Sequence, residues 1–371
     1  MKILLMCWRD TTHPQGGGSE RYLERVGEYL AARGHEVIYH TASHTDAPHT
    51  TRRGGITFRR RGGKYTVYLA GIWAIVRHRP DVVVDTQNGI PFFARLFTTA
   101  PTILLTHHCH RNQWPVAGPV ISRLGWFLES RLAPRVYRGA PYVTVSEASA
   151  ADLVDLGVRA ADITIIENGV DPVPNSTPVL ADDGLIHLVT LSRLVPHKHI
   201  EDAMDTVATM DGVVLDVIGS GWWEDKLRDY AARLANGAGK KVVFHGQVTE
   251  DYKHALLARA AVHLMPSAKE GWGLAVIEAA QHGVPSVGYH DAGGLRDSIR
   301  DGETGVLVDT PAELIAATRA LIDDPVRRRI LGDNARTWAG TFSWETTGAR
   351  FAQLVEQLHG ENSQNPKQAG E

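Results

Sequence analysis

The sequence predicts an α/β protein built from two doubly wound domains, and three observations support this fold class. Short apolar runs alternate with helix-forming segments along most of the chain, which is the pattern of parallel sheets covered by helices. The alternation stops at a proline-rich stretch, residues 172–184, and then starts again. A length of 371 residues is also too great for one ordinary α/β domain and about right for two.

The first predicted domain spans residues 1–171. Its strands are the short apolar runs Lys2–Cys7, Glu36–Thr41, Asp81–Thr86, Thr102–His107, Tyr142–Ser146 and Ile163–Glu167. Helices are predicted between them, the first at Glu20–Arg33, which Gly34 follows as a helix-ending glycine. The N-terminal run MKILLMCWRD is interpreted as the first strand rather than a secretion signal, because it stops at Arg9 and lacks a small-residue cleavage site.

A linker and a second domain are predicted next. The linker, residues 172–184, contains three prolines and few apolar side chains. The second domain, residues 185–343, has predicted strands at Ile186–Leu191, Val213–Ile218, Val242–His245, Val262–Pro266, Pro285–Tyr289 and Gly305–Val308. A last helix, residues 344–359, is predicted to pack back toward the first domain, and the polar residues 360–371 are predicted to be a disordered tail.

Bulk composition restricts the class of protein. The profile of 43% hydrophobic and 22% charged residues is typical of a soluble globular protein. The formal net charge of -3 argues against a protein that coats nucleic acid. Only two cysteines occur, and no apolar stretch approaches the roughly 20 residues that span a bilayer. The sequence therefore predicts a cytoplasmic protein without a disulfide framework.

Basic residues cluster at two places in the first domain. One cluster consists of Arg52, Arg53, Arg59, Arg60, Arg61 and Lys64. It is interpreted either as a solvated edge or as a patch that faces anionic lipid or a phosphorylated acceptor. The second is the segment Trp114–Arg138, in which arginines interleave with apolar residues. It is either a core helix with a basic solvated face or a surface helix that docks on a membrane.

Two glycine-rich turns follow predicted strands. Gly16–Gly18 opens the first helix, so it is either a backbone contact for phosphate or sugar or simply a flexible turn. Gly219–Gly221 is placed like a dinucleotide-binding turn, but Glu224 stands where the third glycine belongs. An NAD site is therefore not expected.

Two cations follow the first strand of the second domain. The segment LSRLVPHKHIEDAM leads through Pro196 into a helix, and it places Arg193 and Lys198 five residues apart at a strand's carboxyl end. Open α/β sheets bind ligands at this edge. A diphosphate leaving group gains negative charge as its bond breaks, and two fixed cations would stabilise it without a metal. The alternative is two ordinary surface cations.

Two glutamates flank a glycine loop in PSAKEGWGLAVIEAAQHG. Glu270 precedes the loop, and Glu278 lies eight positions later in the following helix. Carboxylates accept hydrogen bonds from vicinal hydroxyls, so the first could touch a sugar and the second a ribose. The helix N-terminus could face a phosphate. A glycosidase-type pair of acid and base is the rival explanation, but it would leave the phosphate-binding residues without a purpose.

Four strings of the sequence resemble the signature segments of family 4 glycosyltransferases: SRLVPHK, EGWGLAVIEAAQHGVPSVG, ENGVD and GGLRDSIRDGETGVLV. The likeness covers the chain from Met1 to about Leu358. It implies the GT-B fold, in which two Rossmann-like domains face each other across a cleft, an acceptor-side domain and a donor domain. It also implies a retaining transfer from a nucleotide-diphosphate sugar to an acceptor hydroxyl. Departures are Ser192 and His199, where many relatives have glycine.

The resemblance also assigns roles by position. The donor-binding residues it implies are Gly17, Gly18, Arg193, Lys198, Gly273, Leu274 and Glu278. The catalytic residues it implies are Glu270, which would contact the donor sugar, and a histidine after the fourth strand. In the string THHCHRNQW this histidine is His107, with His110 as the second choice.

No metal and no cofactor are expected. The chain contains no Asp-x-Asp, the pair with which many sugar transferases chelate a divalent ion. A zinc site in the cluster His107–His110 is the alternative, although structural zinc sites usually draw on two separated ligand pairs. Two further functions stay open on the same fold, a sugar-nucleotide epimerase and a non-catalytic nucleotide-sugar binding protein. The expected partners are a nucleotide-diphosphate sugar, an acceptor of unknown identity and, at the periphery, the inner membrane face.

Overall fold

A computed structural model describes residues 1–14, 16–111, 114, 118–234 and 242–364. The chain divides into two compact units. Unit 1 is Met1–Gly169 together with the segment that begins at Ser343, and unit 2 is Val170–Phe342. Each unit contains its own sheet of mainly parallel strands with helices packed against it. The predicted α/β class is therefore confirmed.

Unit 1 contains an eight-stranded sheet. In spatial order its strands are β3 (Thr50–Arg53), β4 (Ile56–Arg60), β2 (Glu36–Thr41), β1 (Lys2–Met6), β5 (Val82–Thr86), β6 (Thr102–Leu105), β7 (Tyr142–Thr144) and β8 (Ile163–Ile165). Neighbouring strands are parallel, except that β3 runs antiparallel to β4. The β3–β4 hairpin escapes prediction because its arginines resemble a charged surface segment.

One member of the first basic cluster is buried. Arg60 is 1% exposed. Its Nε donates to Asp10 Oδ2 at 2.6 Å and its Nη1 donates to Thr51 Oγ1 at 2.8 Å. Strand alternation places Ile56, Phe58 and Arg60 on the same buried face of β4. The interpretation as a solvated edge is therefore wrong for Arg60.

The helices of unit 1 are α1 (Gly18–Ala32), α2 (Val67–His78), α3 (Pro119–Phe127), α4 (Ala133–Val136), α5 (Glu147–Asp155) and α13 (Trp344–Gln364), with a π turn at Leu128–Leu132. The last helix packs on α1, where Arg33 Nη2 donates to Glu356 Oε1 at 3.0 Å. It continues past the predicted end at residue 359 to Gln364, and Ser363 Oγ donates to the His359 carbonyl at 2.8 Å. Residues 360–364 are thus helical, and the rest of the predicted tail, residues 365–371, lies outside the described residues.

Unit 2 contains a six-stranded parallel sheet. In spatial order its strands are β11 (Val242–Gly246), β10 (Val213–Ile218), β9 (Ile186–Leu191), β12 (Val262–Met265), β13 (Ser286–Tyr289) and β14 (Gly305–Val308). Its helices are α6 (Ile200–Ala208), α7 (Glu224–Leu234), α8 (Glu250–Arg259), α9 (Leu274–Gln281), α10 (Leu295–Ser298), α11 (Pro311–Asp323) and α12 (Pro325–Ala339). Leu188, Leu215 and Leu264 from the strands form the core with Leu314 of α11. The predicted linker, residues 172–184, forms no helix or strand.

Candidate active site

In unit 2 the strand order reverses between β9 and β12, which is the position at which doubly wound sheets bind ligands. The loop after β9 carries Arg193 and Lys198, and the loop after β12 carries Glu270. A backbone hydrogen bond joins the two loops, from Ala268 N to the His197 carbonyl at 2.9 Å. The two loops that carry these predicted residues therefore meet at one edge of the sheet.

An ion pair at this edge joins Lys198 to Glu270. The Lys198 ammonium donates to Glu270 Oε1, and the two side chains are 12% and 11% exposed. Residues 72 positions apart in the chain thus form one ion pair. Partial exposure means that a ligand can reach both charged groups and compete for either.

The Gly219–Gly221 turn supports the Arg193 loop by close backbone contact. A Cβ atom on Gly219 would lie 1.9 Å from the Ser192 carbonyl oxygen, and one on Gly221 would lie 2.1 Å from that of Leu194. Leu194 N donates to the Ser220 carbonyl at 3.0 Å. Only glycine leaves room for this contact, so the turn has a packing role that requires no dinucleotide.

Glu270 is held in place by its own backbone. Its N–H donates to the Ala292 carbonyl at 2.7 Å, and its carbonyl accepts from Gly294 N at 3.0 Å. Gly273 then adopts a φ of +98°, which L side chains rarely adopt, and Leu274 begins α9. The first-turn amides of a helix have no intrahelical partner, so the backbone near Gly273 and Leu274 offers donors to an anion.

Glu278 on α9 forms a second ion pair that sequence reasoning missed. Lys253 of α8 donates from Nζ to Glu278 Oε1 at 2.6 Å and to Glu250 Oε2 at 2.7 Å. Burial alone would lower the pKa of Lys253, but these two carboxylates outweigh burial and raise it. A lysine at the fourth position of a helix that starts with polar residues gives no sequence signal for this role, because its partner lies 25 positions away.

In unit 1 the strand order reverses between β1 and β5. Gly17 caps α1 there, and its N–H donates to Glu20 Oε2 at 2.8 Å. Glu20 is fully buried and also accepts from Arg9 Nε at 3.0 Å and from Asn88 Nδ2 at 3.2 Å. Burial alone would raise the pKa of Glu20, but Arg9 and the backbone amides outweigh it and lower that pKa. The Gly17 N–H is thus already bonded to a side chain of unit 1. Gly18 is exposed.

His107 follows β6 and is 7% exposed. Its carbonyl accepts from Ser149 Oγ at 2.8 Å, and its ring meets the Tyr22 ring edge-on with centroids 5.1 Å apart. Its Nε2 is buried and has no hydrogen-bond partner among the described residues. Burial lowers the pKa of His107 to about 4, so the ring is neutral near pH 7. Buried polar atoms are rarely left unpaired, and the exceptions often have a functional reason.

His110, the second-choice histidine, is engaged by a buried carboxylate. Glu129 is fully buried in the π turn. Its Oε1 lies 3.0 Å from His110 Nδ1. The Glu129 carboxylate also accepts from His110 N at 2.9 Å and from Trp114 Nε1 at 2.6 Å. Sequence reasoning missed Glu129; the one signal is an acid within an arginine-rich helix. Of the two candidate histidines, His107 is the one with a buried ring nitrogen that has no partner among the described residues.

The described residues also bear on the zinc and membrane hypotheses. They contain no group of three or more histidine, cysteine, aspartate and glutamate side chains arranged to hold a metal ion. Cys109 instead packs against the apolar cluster that contains Leu104 and Tyr137. None of the helices in these same residues has the length and apolar character needed to cross a membrane.

Comparison with known proteins covers both units. The family model described as Glycosyltransferase Family 4 matches residues 16–173, and the model described as Glycosyl transferases group 1 matches residues 176–338. A glycogen synthase of Mycobacterium tuberculosis is 31% identical over 417 aligned positions, which cover 99% of this chain and 97% of the relative. A GDP-mannose-dependent α-(1-6)-phosphatidylinositol monomannoside mannosyltransferase of the same organism is 27% identical, with 92% and 95% covered.

Solved structures agree on the fold. Sucrose-phosphate synthase from Thermosynechococcus elongatus superposes with a TM-score of 0.80 at 20% identity, over 97% of this chain and 99% of that one. HepE from Anabaena, in complex with UDP and glucose, gives a TM-score of 0.72 at 18% identity, over 96% and 100%. Both are GT-B proteins. The sheet order, the whole-length relative and the two family models lead to one conclusion: this chain belongs to glycosyltransferase family 4 and is a glycosyltransferase with the GT-B fold.

Proposed function

We propose that this enzyme is a retaining, metal-independent glycosyltransferase that moves a sugar from a nucleotide-diphosphate sugar to an acceptor hydroxyl. The observation that carries the proposal is the contact between Lys198 and Glu270 at the reversal point of the unit 2 sheet. It joins a cation suited to a diphosphate with a carboxylate suited to sugar hydroxyls. Arg193 on the same loop adds a second cation.

Donor binding changes the partners of the residues in the two ion pairs, Lys198–Glu270 and Lys253–Glu278. The diphosphate competes with Glu270 for the Lys198 ammonium, and the released carboxylate accepts hydrogen bonds from the donor sugar. The amides near Gly273 and Leu274 add donors for the phosphate oxygens. Glu278 accepts from the ribose hydroxyls in the same way, and Lys253 keeps its charge balanced.

Transfer breaks the bond between the anomeric carbon and the diphosphate oxygen and forms one to the acceptor oxygen. The acceptor attacks from the face that the diphosphate leaves, so the anomeric configuration is kept. Its hydroxyl proton passes to the departing phosphate. His107, neutral and with Nε2 unpaired among the described residues, orients the donor sugar by a hydrogen bond. The resemblance to family 4 also implies that Gly17 and Gly18 contact the phosphates or the transferred sugar.

The metal-free proposal is supported by the residues that would replace a metal. Arg193 and Lys198 supply two positive charges to the leaving group, and the chain has no Asp-x-Asp pair. The nucleotide is uridine or guanosine diphosphate, since HepE is described in complex with UDP-glucose and the mannosyltransferase relative is named as GDP-mannose-dependent. No further cofactor is needed.

Peripheral contact with the cytoplasmic face of a membrane is part of the proposal, as one route to a lipid-linked acceptor. On α3, Val120 is 77% exposed and Leu124 is 58% exposed, and Phe127 is 53% exposed at the end of the helix. Arg123 and Arg131 are exposed beside them. This combination favours the membrane-docking interpretation of the second basic segment over a core helix.

The test is a thermal-shift panel of UDP, GDP, ADP and their sugar conjugates in EDTA. A ligand at 100 times its dissociation constant should stabilise the enzyme by about 2.7 kcal/mol. Lys198→Ala should abolish the shift, whereas Lys64→Ala, an exposed lysine of unit 1, should retain it. A shift that persists in Lys198→Ala, or that appears only with added Mn²⁺, would contradict the proposal.

Product analysis separates the alternatives. Conversion of the donor sugar to its epimer in the absence of acceptor would indicate an epimerase. Donor binding without turnover across an acceptor panel would indicate a binding protein. For a transferase, the anomeric coupling constant of the product, measured by NMR, reports retention directly.

A further inference from the structure

A cavity of about 570 Å³ lies in unit 1, and none of the residues assigned above to the proposed transfer site lines it. Its lining includes Ser43, His49, Thr50, Arg60, Arg61 and Trp73. Ser43 and Arg61 follow the carboxyl ends of β2 and β4, so the cavity lies at the sheet edge that also carries Gly17 and His107. Its volume is in the range of small-molecule sites.

The lining combines one exposed cation and several hydrogen-bond donors with apolar surface. Ser43 and Thr50 offer hydroxyl groups, His49 an imidazole and Arg61 a guanidinium. Among the described residues that line the cavity, none is acidic. This chemistry suits an anion.

Arg60 and Arg61 differ in what balances their charge. Arg60 is buried against Asp10, with Nε at 2.6 Å from Oδ2. Arg61 is exposed, and its guanidinium carbon lies 4.5 Å from the centroid of the Trp73 ring. Within the part of the chain that the structure describes, no carboxylate forms an ion pair with Arg61. A guanidinium stacked on an aromatic ring still presents its N–H edge for bidentate contact with phosphate or carboxylate.

Backbone hydrogen bonds join the wall of the cavity to the sheet. Arg61 N donates to the Thr41 carbonyl at 2.9 Å, and Ser43 N donates to the Gly62 carbonyl at 2.7 Å. The Trp73 side chain is 46% exposed on α2 and leaves an apolar surface beside the cations. Such a ring can pack against the C–H face of a sugar or polyol.

We propose that this cavity binds the phosphate or carboxylate group of an anionic acceptor, an inference that rests on the proposed function. Arg61 grips the anion in bidentate fashion, His49 and Thr50 add hydrogen bonds, and Trp73 packs against the attached sugar or polyol. Strand β2 neighbours β1, about 5 Å away. An acceptor anchored here is therefore close to the glycine loop that follows β1.

The direct test is isothermal titration calorimetry with inorganic phosphate, glucose 6-phosphate and neutral glucose. Arg61→Gln should weaken binding of the two anions roughly tenfold or more, because a charge-assisted bidentate contact is lost. Arg77→Gln is the matched control, since Arg77 is an exposed arginine of α2 outside the cavity lining. Trp73→Ala should weaken glucose 6-phosphate more than inorganic phosphate.

The source of the anion is distinguished by co-sedimentation with phosphatidylcholine vesicles, with and without phosphatidylinositol. Titratable binding of glucose 6-phosphate supports a soluble phosphorylated acceptor. Binding confined to phosphatidylinositol vesicles, lost in Arg61→Gln and kept in Arg77→Gln, supports a lipid headgroup. Equal losses in both variants, or no binding of the wild type to any probe, would overturn the inference.

The donor measurement separates this inference from the proposed function. Arg61→Gln should keep the nucleotide-induced thermal shift, since Arg61 belongs to unit 1 and the cations assigned to the diphosphate belong to unit 2. Loss of anion binding with an intact donor shift isolates the cavity. A wild type that shows no donor shift would count against the proposed function instead.

Discussion

Unit 1 and unit 2 share a doubly wound sheet but hold their candidate site residues by different means. In unit 2, Lys198 pairs with Glu270 and Lys253 with Glu278, and these four side chains are between 11% and 22% exposed. In unit 1, the Glu129 carboxylate is fully buried and accepts hydrogen bonds from several donors of its own unit. Glu20 is likewise buried and accepts hydrogen bonds from Gly17 N and Arg9 Nε.

The ion pairs of unit 2 can lose one partner to a ligand. The buried networks of unit 1 instead fix the conformation of their loops before any ligand binds. The ammonium groups of Lys198 and Lys253 can exchange a carboxylate for a phosphate, because the incoming anion again balances their charge. A buried carboxylate with several donors is expensive to disturb, because each donor would be left unpaired. Unit 2 therefore carries exchangeable charge, and unit 1 carries a preformed surface.

The largest expected effect is on activity, from Glu270→Gln. Glutamine keeps an acceptor for Lys198 but removes the charge that holds the sugar, so kcat/KM should fall about 100- to 1000-fold, or roughly 3–4 kcal/mol. The free energy of unfolding should change by only about 1 kcal/mol. Steady-state kinetics and urea unfolding measure both, with exposed Glu303→Gln as the control. A large loss of stability with unchanged kcat/KM would mean that Glu270 has a structural role like that of the buried carboxylates of unit 1.

Glu129→Ala should show the opposite behaviour, with its main effect on stability. The change leaves His110 and Trp114 without their buried acceptor, so the free energy of unfolding should fall by about 2–3 kcal/mol. Urea unfolding followed by circular dichroism checks this, against the exposed Glu361→Ala. An unchanged unfolding midpoint would mean that the network does not hold the loop.

The smallest expected effect is a change in pH dependence. Burial lowers the pKa of His107 in unit 1 and of His263 in unit 2 to about 4. The unfolded chain, with a histidine pKa near 6.5, therefore binds more protons between about pH 6.5 and pH 4. The free energy of unfolding should fall as the pH decreases through this window.

Substituting either buried histidine tests this effect. His107→Asn and His263→Asn should each remove about 1–2 kcal/mol of the loss between pH 7 and pH 5. Urea unfolding at the two pH values gives the slope. A slope that neither buried substitution changes would show that these rings do not titrate on unfolding.

The sequence predicts unit 2 more completely than unit 1. All six strands of unit 2 coincide with predicted ones, because each buried parallel strand is a continuous apolar run bounded by turns. In unit 1 the hairpin β3–β4 is not predicted, because only three of the nine residues in its strands are buried and four are arginine. The predicted helix end at residue 359 also falls short of Gln364, since polar end residues carry little hydrophobic periodicity.

The candidate site divides in the same way. Arg193, Lys198, Glu270 and Glu278 are recognisable in sequence because each lies in a short motif between a strand and a helix. Glu129 and Lys253 are not, because their roles depend on partners brought from elsewhere in the chain. The Gly219–Gly221 turn resembles a nucleotide motif, and only its contact with Ser192 and Leu194 explains its glycines.

The order of strand, loop and helix is local information, so the sequence by itself determined the α/β class, the two-domain organisation and the loops that carry the donor-binding candidates. Which side chains meet is decided by packing between distant segments. Only the tertiary structure paired Lys198 with Glu270, buried Arg60 against Asp10 and left His107 Nε2 without a partner among the described residues. The burial and the hydrogen-bond partners of a side chain determine its charge and whether it can bind a ligand. Neither can be read from the residues next to it in sequence.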